Sequence, residues 1–362
     1  MKILFLTHRY YLLLLTGMLV PIAFGMGWLS MLMIAPFLVL LTGLYGSRRF
    51  LKGQLQSAVN TGLKLLLLIV YTISCKLYVF DIYQVNSSSM EGALIKGDVL
   101  FINKLAYGPQ EIDDANSISW VKLFRSNVRQ DETCPIISRK NGYTHISRND
   151  VFIYELFPAY FVVKRCAGLP GDQLKISNDT TFINNRYAPF PAYHQSQYLL
   201  KFADHASLRT YLSLISRSAI DSVNIDSNIL VANISQSDLP QHALQITRLP
   251  NKLLTGKTPY FRPDTWTINN LGPLTIPHKG WAVSDPALYR NTIEHWECND
   301  TPGGYVFKDN YYFMMGDNKP YSEDSRYLGL IPERKIVGKV AFVLYSYSEK
   351  GFLWDRLFKT IL

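Results

Sequence analysis

The sequence predicts a mainly β protein in which N-terminal transmembrane helices precede an antiparallel β-sheet domain with a large inserted subdomain. Three observations predict this fold class. No residue between Tyr10 and Tyr45 is charged. After Phe80 the chain breaks into short runs rich in Val, Ile, Phe and Tyr, separated by Gly, Pro, Asn and Asp. Residues 186–308 lack this regular pattern and divide the β-type runs into two groups.

Residues 1–80 are predicted to form a membrane anchor of two or three helices. As one helix, the uncharged run Tyr10–Tyr45 would be about 54 Å long, whereas the hydrocarbon core of a bilayer is about 30 Å thick. We therefore expect it to fold back near Gly25–Trp28 as two spans. A third, weaker span is predicted from Gly62 to Phe80, with a lysine near each end.

Basic residues give the orientation of these spans. They precede the first predicted span and cluster between the second and the third, at Lys2, Arg9, Arg48, Arg49, Lys52 and Lys64. Such residues mark the cytoplasmic side. With three spans, everything after Phe80 is expected on the outer face of the membrane.

The exported part is predicted to contain a β core formed by residues 81–185 and 309–350. Its predicted strands are Val99–Ile102, Val151–Tyr154, Tyr160–Cys166, Tyr311–Met315 and Val337–Tyr347. Residues 186–308, called the inserted segment below, are expected to be non-catalytic, with helix-like spacing from Tyr198 to Ile220. Residues 351–362 form an amphipathic segment that could rest on the membrane or pack as a final helix; packing is the preferred interpretation.

The net charge indicates which class of partner to expect, and the cysteine spacing indicates whether disulfides or metal sites are present. The formal net charge is +9, but the basic residues form no dense cluster and no nucleic-acid-binding motif is present. Membrane lipid is therefore the expected counterpart, and no nucleic acid. Among the four cysteines there is no CxxC pair; Cys134 and Cys298 could form a disulfide or remain free thiols.

A hydroxyl-rich string, Asn86–Glu91, follows the anchor closely. Serine is a poor nucleophile unless a base accepts its proton. Six histidines lie in the exported part, none in a serine-hydrolase motif, and all are interpreted as surface residues: His145, His194, His205, His242, His278 and His295. They form no metal-binding set, and no metal or other cofactor is expected.

Lys164 is the candidate base. A lysine serves as a base only when it is neutral, which requires burial to lower its pKa from about 10.4. In a strand, Tyr160, Val162, Lys164 and Cys166 share one face, so the neighbours of Lys164 are apolar or aromatic. A strand lysine considered alone is more often solvent-exposed.

Three motifs now resemble the bacterial type I signal peptidases, also called leader peptidases, and they occur in the order found in that family. The motifs are Ser87–Met90 with Leu94–Asp98 and Lys104–Gly108, then Lys164–Asp172, and finally Met315–Asn318 with Ser322–Gly329, Ile331–Glu333 and Val337–Gly338. The resemblance covers the end of the anchor and the β core, but little of the inserted segment. It implies a multi-pass serine endopeptidase of the bacterial cytoplasmic membrane whose catalytic domain faces the periplasm.

The resemblance also implies roles for individual residues. Ser89 would be the nucleophile and Lys164 the general base. The backbone N–H of Ser89 and the hydroxyl of Ser87 would form the oxyanion hole. Ser322 would orient the Lys164 amine. Structural support is expected from Arg165, Gly316, Asp317, Asp324 and Arg326.

Two departures from the family pattern stand beside the nucleophile. Gly92-Ala93 replaces the usual Pro-Thr, which predicts a less restrained turn with a small effect. Ser88 stands at a position where glycine is common in the family, so two adjacent hydroxyls are candidates for the nucleophile. Ser89 is favoured because it directly precedes Met90.

The implied function is removal of N-terminal signal peptides from secretory preproteins, with the secretion translocon as a further possible partner. Two alternatives remain at this point. One is a Ser/Lys protease with another substrate, such as a self-cleaving repressor. The other is a non-enzymatic, membrane-anchored domain that binds envelope proteins.

Overall fold

A computed structural model describes part of the 362-residue chain. The described residues are 26, 28–31, 34, 38, 42–43, 45, 47, 51–110, 139–157, 160–191, 193–252, 254, 256–261, 263, 265–297, 304–349 and 351–361. The first two predicted spans therefore lie largely outside the described residues, as do Cys134 and Cys298.

The helices α1 to α4 and the strands β1 to β19 are numbered in chain order. The helices are α1 (Gly53–Tyr78), α2 (His205–Leu214), α3 (Arg290–Thr292) and α4 (Ser325–Leu328). The strands are β1 (Phe80–Gln84), β2 (Asp98–Asn103), β3 (Val151–Phe157), β4 (Tyr160–Gly168), β5 (Gln173–Ser177), β6 (Thr180–Ile183), β7 (Arg186–Tyr187), β8 (Gln195–Lys201), β9 (Ile220–Asn224), β10 (Ile229–Ser235), β11 (Gln245–Arg248), β12 (Leu271–Thr275), β13 (Ala282–Val283), β14 (Tyr305–Val306), β15 (Tyr311–Met315), β16 (Ile331–Pro332), β17 (Ile336–Ser348), β18 (Gly351–Phe352) and β19 (Lys359–Thr360).

Helix α1 is long and apolar enough to cross a membrane. It has 26 residues, a mean hydropathy of 1.6 over its best 18-residue window, and no buried residue. The predicted third span, Gly62–Phe80, overlaps it, but the helix begins earlier, at Gly53. Among the residues that the structure describes, α1 is the one helix with these properties.

A single residue, Val79, separates the end of α1 from the start of β1. The Lys104 amine lies 2.8 Å from the Lys76 carbonyl oxygen and 3.3 Å from that of Leu77, and it also pairs with Asp81 at 3.0 Å. A cation at the last turn is favourable because helix carbonyls there have no intrahelical partner. Lys104 therefore ties the end of α1 to the following β-sheet.

The main sheet has nine strands and is antiparallel throughout. Its order is β1-β2-β17-β3-β4-β15-β16, with β18 and β19 paired to β17. All five strands predicted from the sequence are present in it, with bounds that differ by three residues or fewer at each end. The prediction of a mainly antiparallel β domain is confirmed.

Apolar side chains cover both faces of the main sheet. One buried cluster contains Phe152, Tyr154, Cys166 and Phe313, and the other contains Ile153, Met90 and Leu94. Strands β3 and β4 lie inside the sheet, and the side chains of β4 from Lys164 onward are buried. This burial shields the middle of β4, where Lys164 lies, from water.

The inserted segment contains a separate four-stranded sheet, β11-β8-β10-β9, with α2 beside it. The predicted helix from Tyr198 to Ile220 is wrong at both ends. Residues 198–201 belong to β8, where Leu200 is fully buried, and Ile220 begins β9. Asp204 starts the helix because its carboxylate accepts a hydrogen bond from the Ser207 N–H at 2.7 Å.

The C-terminal segment packs onto β17, but not as an amphipathic helix. It forms β18, a short 3₁₀ turn at Trp354–Arg356, and β19. The guanidinium of Arg356 lies 2.7 Å and 2.5 Å from the two carboxylate oxygens of Asp98, and it reaches the Ala93 carbonyl oxygen at 3.1 Å. One buried arginine thus joins the end of the chain to the segment after Met90.

Candidate active site

Ser89 lies in a tight turn between β1 and β2. The Glu91 N–H donates to the Ser88 carbonyl at 2.9 Å, and the Leu94 N–H donates to the Met90 carbonyl at 2.8 Å. Met90 is 1% exposed and enters the apolar cluster on one face of the main sheet. Ser89 is buried, whereas Ser87 and Ser88 are exposed. Burial of Met90 fixes the position of the serine directly before it.

Lys164 lies in the interior strand β4, paired with β3 on one side. Its side chain is buried, and the Nζ atom lies 2.7 Å from Ser89 Oγ and 3.2 Å from the Val163 carbonyl oxygen. Burial lowers the pKa of Lys164 to about 8, because removal from water disfavours the ammonium form. Nearby carboxylates, Asp324 first, partly oppose this effect.

The structure brings Ser87 to the same point. Its Oγ lies 3.2 Å from Ser89 Oγ. The Ser89 hydroxyl thus lies within hydrogen-bond distance of both the Lys164 amine and the Ser87 hydroxyl.

Gly316 and Ser322 lie against the backbone of Ser89. A Cβ atom at Gly316 would be 2.2 Å from Ser322 Oγ and 2.4 Å from the Ser89 carbonyl oxygen, which leaves no room for a side chain. Ser322 is fully buried, and a hydrogen bond from its side chain contributes to the lowered pKa of Asp324. The amine of Lys164 donates to Ser89 and Val163, so the predicted contact with Ser322 stays a prediction.

Two buried ion pairs surround these groups. Arg165 donates to both carboxylate oxygens of Asp317, at 2.7 Å and 2.8 Å, and both side chains are fully buried. Arg326 contacts both oxygens of Asp324 at 2.9 Å. Asp324 also accepts from the Gly316 N–H at 3.1 Å. Such bidentate pairs fix geometry, and losing one partner leaves an uncompensated buried charge.

The ion pair with Arg326 determines the charge state of Asp324. Burial alone would raise the pKa of this carboxyl, but the Arg326 charge and hydrogen bonds outweigh burial and lower it. Asp324 is therefore ionised at neutral pH. Its negative charge raises the pKa of Lys164, against the larger lowering caused by burial.

Two residues near the site were not assigned a role from the sequence. Asn318 donates from its backbone N–H to the Ser89 carbonyl at 3.1 Å and from Nδ2 to the Ser88 carbonyl at 3.0 Å. Its position inside a recognised motif was the available signal. Tyr193, in the inserted segment, accepts from Arg165 at 2.6 Å, and no local sequence pattern indicates that contact.

Tyr193 also explains the departure at Gly92. Gly92 has φ +107°, which proline cannot adopt, and a Cβ atom there would lie 2.4 Å from the Tyr193 carbonyl oxygen. The expectation of a loosely restrained turn is therefore wrong. The turn is restrained by close approach of the inserted segment.

His194 is buried, contrary to its interpretation as a surface residue. Burial, together with nearby cations of which Lys319 is the strongest, holds its pKa well below the usual value. The imidazole is neutral, and its ring packs 4.7 Å from that of Phe190. Cys75 and Cys166 are free thiols.

Taken together, the fold and the site define a class: a serine peptidase whose β-sheet domain directly follows a helix able to cross a membrane. Comparisons with known proteins agree. The family described as "Signal peptidase, peptidase S26" matches residues 58–345. The chain therefore belongs to that family, and the resemblance seen in the three motifs is confirmed.

Individual relatives carry the same description. Signal peptidase I of Buchnera aphidicola (strain Bp) is 22% identical over 297 residues, which cover 80% of this chain and 76% of the relative. Signal peptidase I of Helicobacter pylori 26695 is 22% identical over 320 residues, covering 81% and 89%. A crystal structure of a signal peptidase I from Enterococcus faecalis V583 is 18% identical and covers 55% of this chain and 98% of its own, but its TM-score of 0.23 supports no argument about fold.

Membership of the family identifies the activity. The chain is a serine endopeptidase that removes signal peptides from secretory preproteins. The alternatives of a non-enzymatic binding domain and of a repressor-type protease are therefore set aside.

Proposed function

We propose that this signal peptidase cleaves its substrates with Ser89 as nucleophile and Lys164 as general base. The observation that carries the proposal is the 2.7 Å contact between Ser89 Oγ and Lys164 Nζ, at a lysine buried deeply enough to lower its pKa to about 8. A base with a pKa near the working pH has a substantial neutral fraction and still binds a proton well.

The reaction proceeds in two stages. The neutral Lys164 amine accepts the Ser89 hydroxyl proton while Oγ attacks the scissile carbonyl carbon. The resulting oxyanion is stabilised by the Ser89 N–H and the Ser87 hydroxyl. When the C–N bond breaks, the Lys164 ammonium returns the proton to the leaving amine. Water, activated by the same amine, then hydrolyses the acyl-enzyme ester and restores Ser89.

The remaining predicted residues hold this pair in place. Gly316 permits close packing of the Ser322 hydroxyl against the Ser89 backbone. Ser322 orients the Lys164 amine during the reaction, when the amine turns toward the substrate. The pairs Arg165–Asp317 and Asp324–Arg326 keep the surrounding loops fixed.

The decisive experiment compares full-length wild-type protein, Ser89→Ala and Lys164→Ala in detergent on one purified preprotein. Both variants are expected to lose at least about a thousandfold in kcat. Ser88→Ala is the matched control, because it removes the adjacent, exposed hydroxyl and should cleave within about threefold of wild type. Retained cleavage by Ser89→Ala would contradict the assignment of the nucleophile.

We propose a matching domain arrangement. Residues 1–80 form an anchor of about three spans, residues 81–185 and 309–350 form the catalytic core, and the inserted segment and residues 351–362 are additions to it. The catalytic core lies on the periplasmic face, where it meets preproteins that are still held in the bilayer by their signal peptides. Lipid headgroups and the translocon are its neighbours there.

The topology is tested by reporter fusions. Alkaline phosphatase, which is active only outside the cytoplasm, should be active when fused after Leu362 and inactive when fused after Leu51. A green fluorescent protein fusion after Leu51 should be fluorescent. Phosphatase activity at Leu51 would contradict the three-span arrangement.

A further inference from the structure

Asn318 forms hydrogen bonds with the backbone of Ser88 and Ser89. Its N–H donates to the Ser89 carbonyl at 3.1 Å, and its side-chain Nδ2 donates to the Ser88 carbonyl at 3.0 Å. Asn318 is 1% exposed, so these bonds are shielded from water. One side chain and one backbone group thus fix two consecutive carbonyls at the nucleophile.

The side-chain bond depends on which way the Asn318 amide faces. Nδ2 can reach Ser88 only if Oδ1 points away, and there Oδ1 accepts from Asn233 Nδ2 at 2.6 Å. Asn233 is also buried, at 2% exposure, and its Nδ2 donates in addition to Gln195 Oε1 at 3.0 Å. Rotating the Asn318 amide would set an N–H group against the Asn233 N–H and an oxygen against the Ser88 oxygen.

Asn233 lies on β10, inside the inserted segment. The same segment reaches the Asn318 loop through a second contact, because the Gln195 N–H donates to the Asp317 carbonyl at 2.7 Å. Gln195 and Asn318 also form a parallel β-bridge. The sheet of the inserted segment is thus bonded directly to the loop that holds Ser89.

We propose that Asn233 is a positioning residue for catalysis, which orients the Asn318 amide and thereby holds the Ser89 hydroxyl within reach of Lys164. The inference rests on the proposed role of Ser89 and assigns a catalytic contribution to a segment expected to be non-catalytic. Loss of this orientation should reduce kcat, because small displacements of a nucleophile slow the reaction strongly. Substrate binding should change little.

The test measures kcat, KM and thermal unfolding of the full-length protein in detergent with one purified preprotein. Asn233→Asp has nearly the same shape but presents an acceptor to Asn318 Oδ1, so the Asn318 amide should turn away from Ser88. We expect kcat to fall at least tenfold and KM to stay within twofold. Asn233→Ala, which removes the donor without adding charge, should lower kcat at least threefold and serves if the first variant fails to fold.

Two comparisons separate an effect on the position of Ser89 from a general loss of protein stability. Asn251→Ala is the matched control, since Asn251 is a buried asparagine of the same segment whose Nδ2 bonds Asp179 at 2.7 Å. It should lower the unfolding temperature while kcat stays within twofold. In the Asn318→Ala background, Asn233→Asp should change kcat less than twofold, because the orientation it disturbs no longer exists.

The outcomes separate the positioning role of Asn233 from the proposed roles of Ser89 and Lys164. An unchanged kcat for Asn233→Asp and Asn233→Ala, or a full further loss on top of Asn318→Ala, would overturn the positioning role. A kcat loss in Asn251→Ala equal to that of Asn233→Ala would also overturn it. If Ser89→Ala, assayed in parallel, keeps its activity, the proposed active site fails instead.

Discussion

With Lys164 as the proposed base, its amine should determine how cleavage depends on pH. Its pKa is lowered to about 8 by burial, and only the neutral amine can accept the Ser89 proton. We expect kcat/KM to rise about tenfold per pH unit below pH 7 and to level off above about pH 8. The measurement is a pH profile with a preprotein between pH 5.5 and 10. A profile that is already flat at pH 6 would contradict a lysine base with this pKa.

The same shift affects stability. The lysine of the unfolded chain has its ordinary pKa, about 10.5, whereas the folded value is about 8. Between these values the unfolded chain binds more protons, so this group makes stability rise with pH from about 8 to about 10.5. Lys164→Met should abolish that rise and increase the free energy of unfolding at pH 7 by about 1–3 kcal/mol. Urea unfolding at pH 7 and pH 9.5 gives the free energy of unfolding of wild type and of Lys164→Met. The same pH dependence in both proteins would contradict the prediction.

Gly92 should tolerate no side chain. Its φ of +107° and the 2.4 Å approach of a Cβ atom to the Tyr193 carbonyl predict that Gly92→Ala lowers the free energy of unfolding by about 1–3 kcal/mol, and Gly92→Pro by more. Gly62→Ala is the control, because a Cβ atom there would meet nothing within 4 Å. Thermal unfolding in detergent gives the comparison. Equal stability of Gly92→Ala and wild type would contradict the close approach.

Some site residues could be predicted from the sequence because their motifs are local. Ser89 precedes Met90, and Lys164 stands in a strand whose neighbours are apolar; the structure brings the two side chains together. Contacts with the inserted segment could not be predicted. Asn233 and Asn318 are 85 residues apart, and although Asn318 lies in a recognised motif, nothing in the sequence around Asn233 indicates that the two are in contact. Only the folded chain shows that Asn233 donates to Asn318.

Among the secondary-structure elements, strands were easier to predict than the inserted segment. The strands of the main sheet are buried and rich in β-branched and aromatic residues, which gives a strong local signal. In the inserted segment, β8 and α2 follow each other within four residues. Apolar residues of the strand therefore run into those of the helix, and the combined spacing resembled one longer helix.

The C-terminal segment should contribute strongly to stability, although it is short. Arg356→Met removes the partner of the fully buried Asp98 carboxylate and should cost about 3–5 kcal/mol of unfolding free energy. Lys359→Met, at an exposed position on β19, is the matched control and should cost less than about 0.5 kcal/mol. Urea unfolding distinguishes the two. An Arg356→Met variant as stable as wild type would show that Asp98 finds another partner.

In the molecule as a whole, the first strand of the main sheet follows almost directly after α1, the helix that is long and apolar enough to cross a membrane. Between Tyr78 and Phe80 there is one residue, and the Lys104 N–H donates to the carbonyl of that residue at 3.0 Å. The Lys104 side chain bonds the last turn of the helix as well. The backbone between α1 and β1 is therefore too short and too well bonded to act as a flexible linker.

With α1 in the membrane and Ser89 as the nucleophile, as proposed above, this tight junction would set the distance between the lipid surface and the bond that is cleaved. We expect the sheet to be unable to move along the membrane normal, so that a precursor is cleaved only when its scissile bond lies at one depth from the lipid surface. A flexible spacer inserted after Val79 would make the distance between α1 and the main sheet variable. Cleavage should then spread to neighbouring bonds of the same precursor. Mass spectrometry of the released mature chains would reveal the spread.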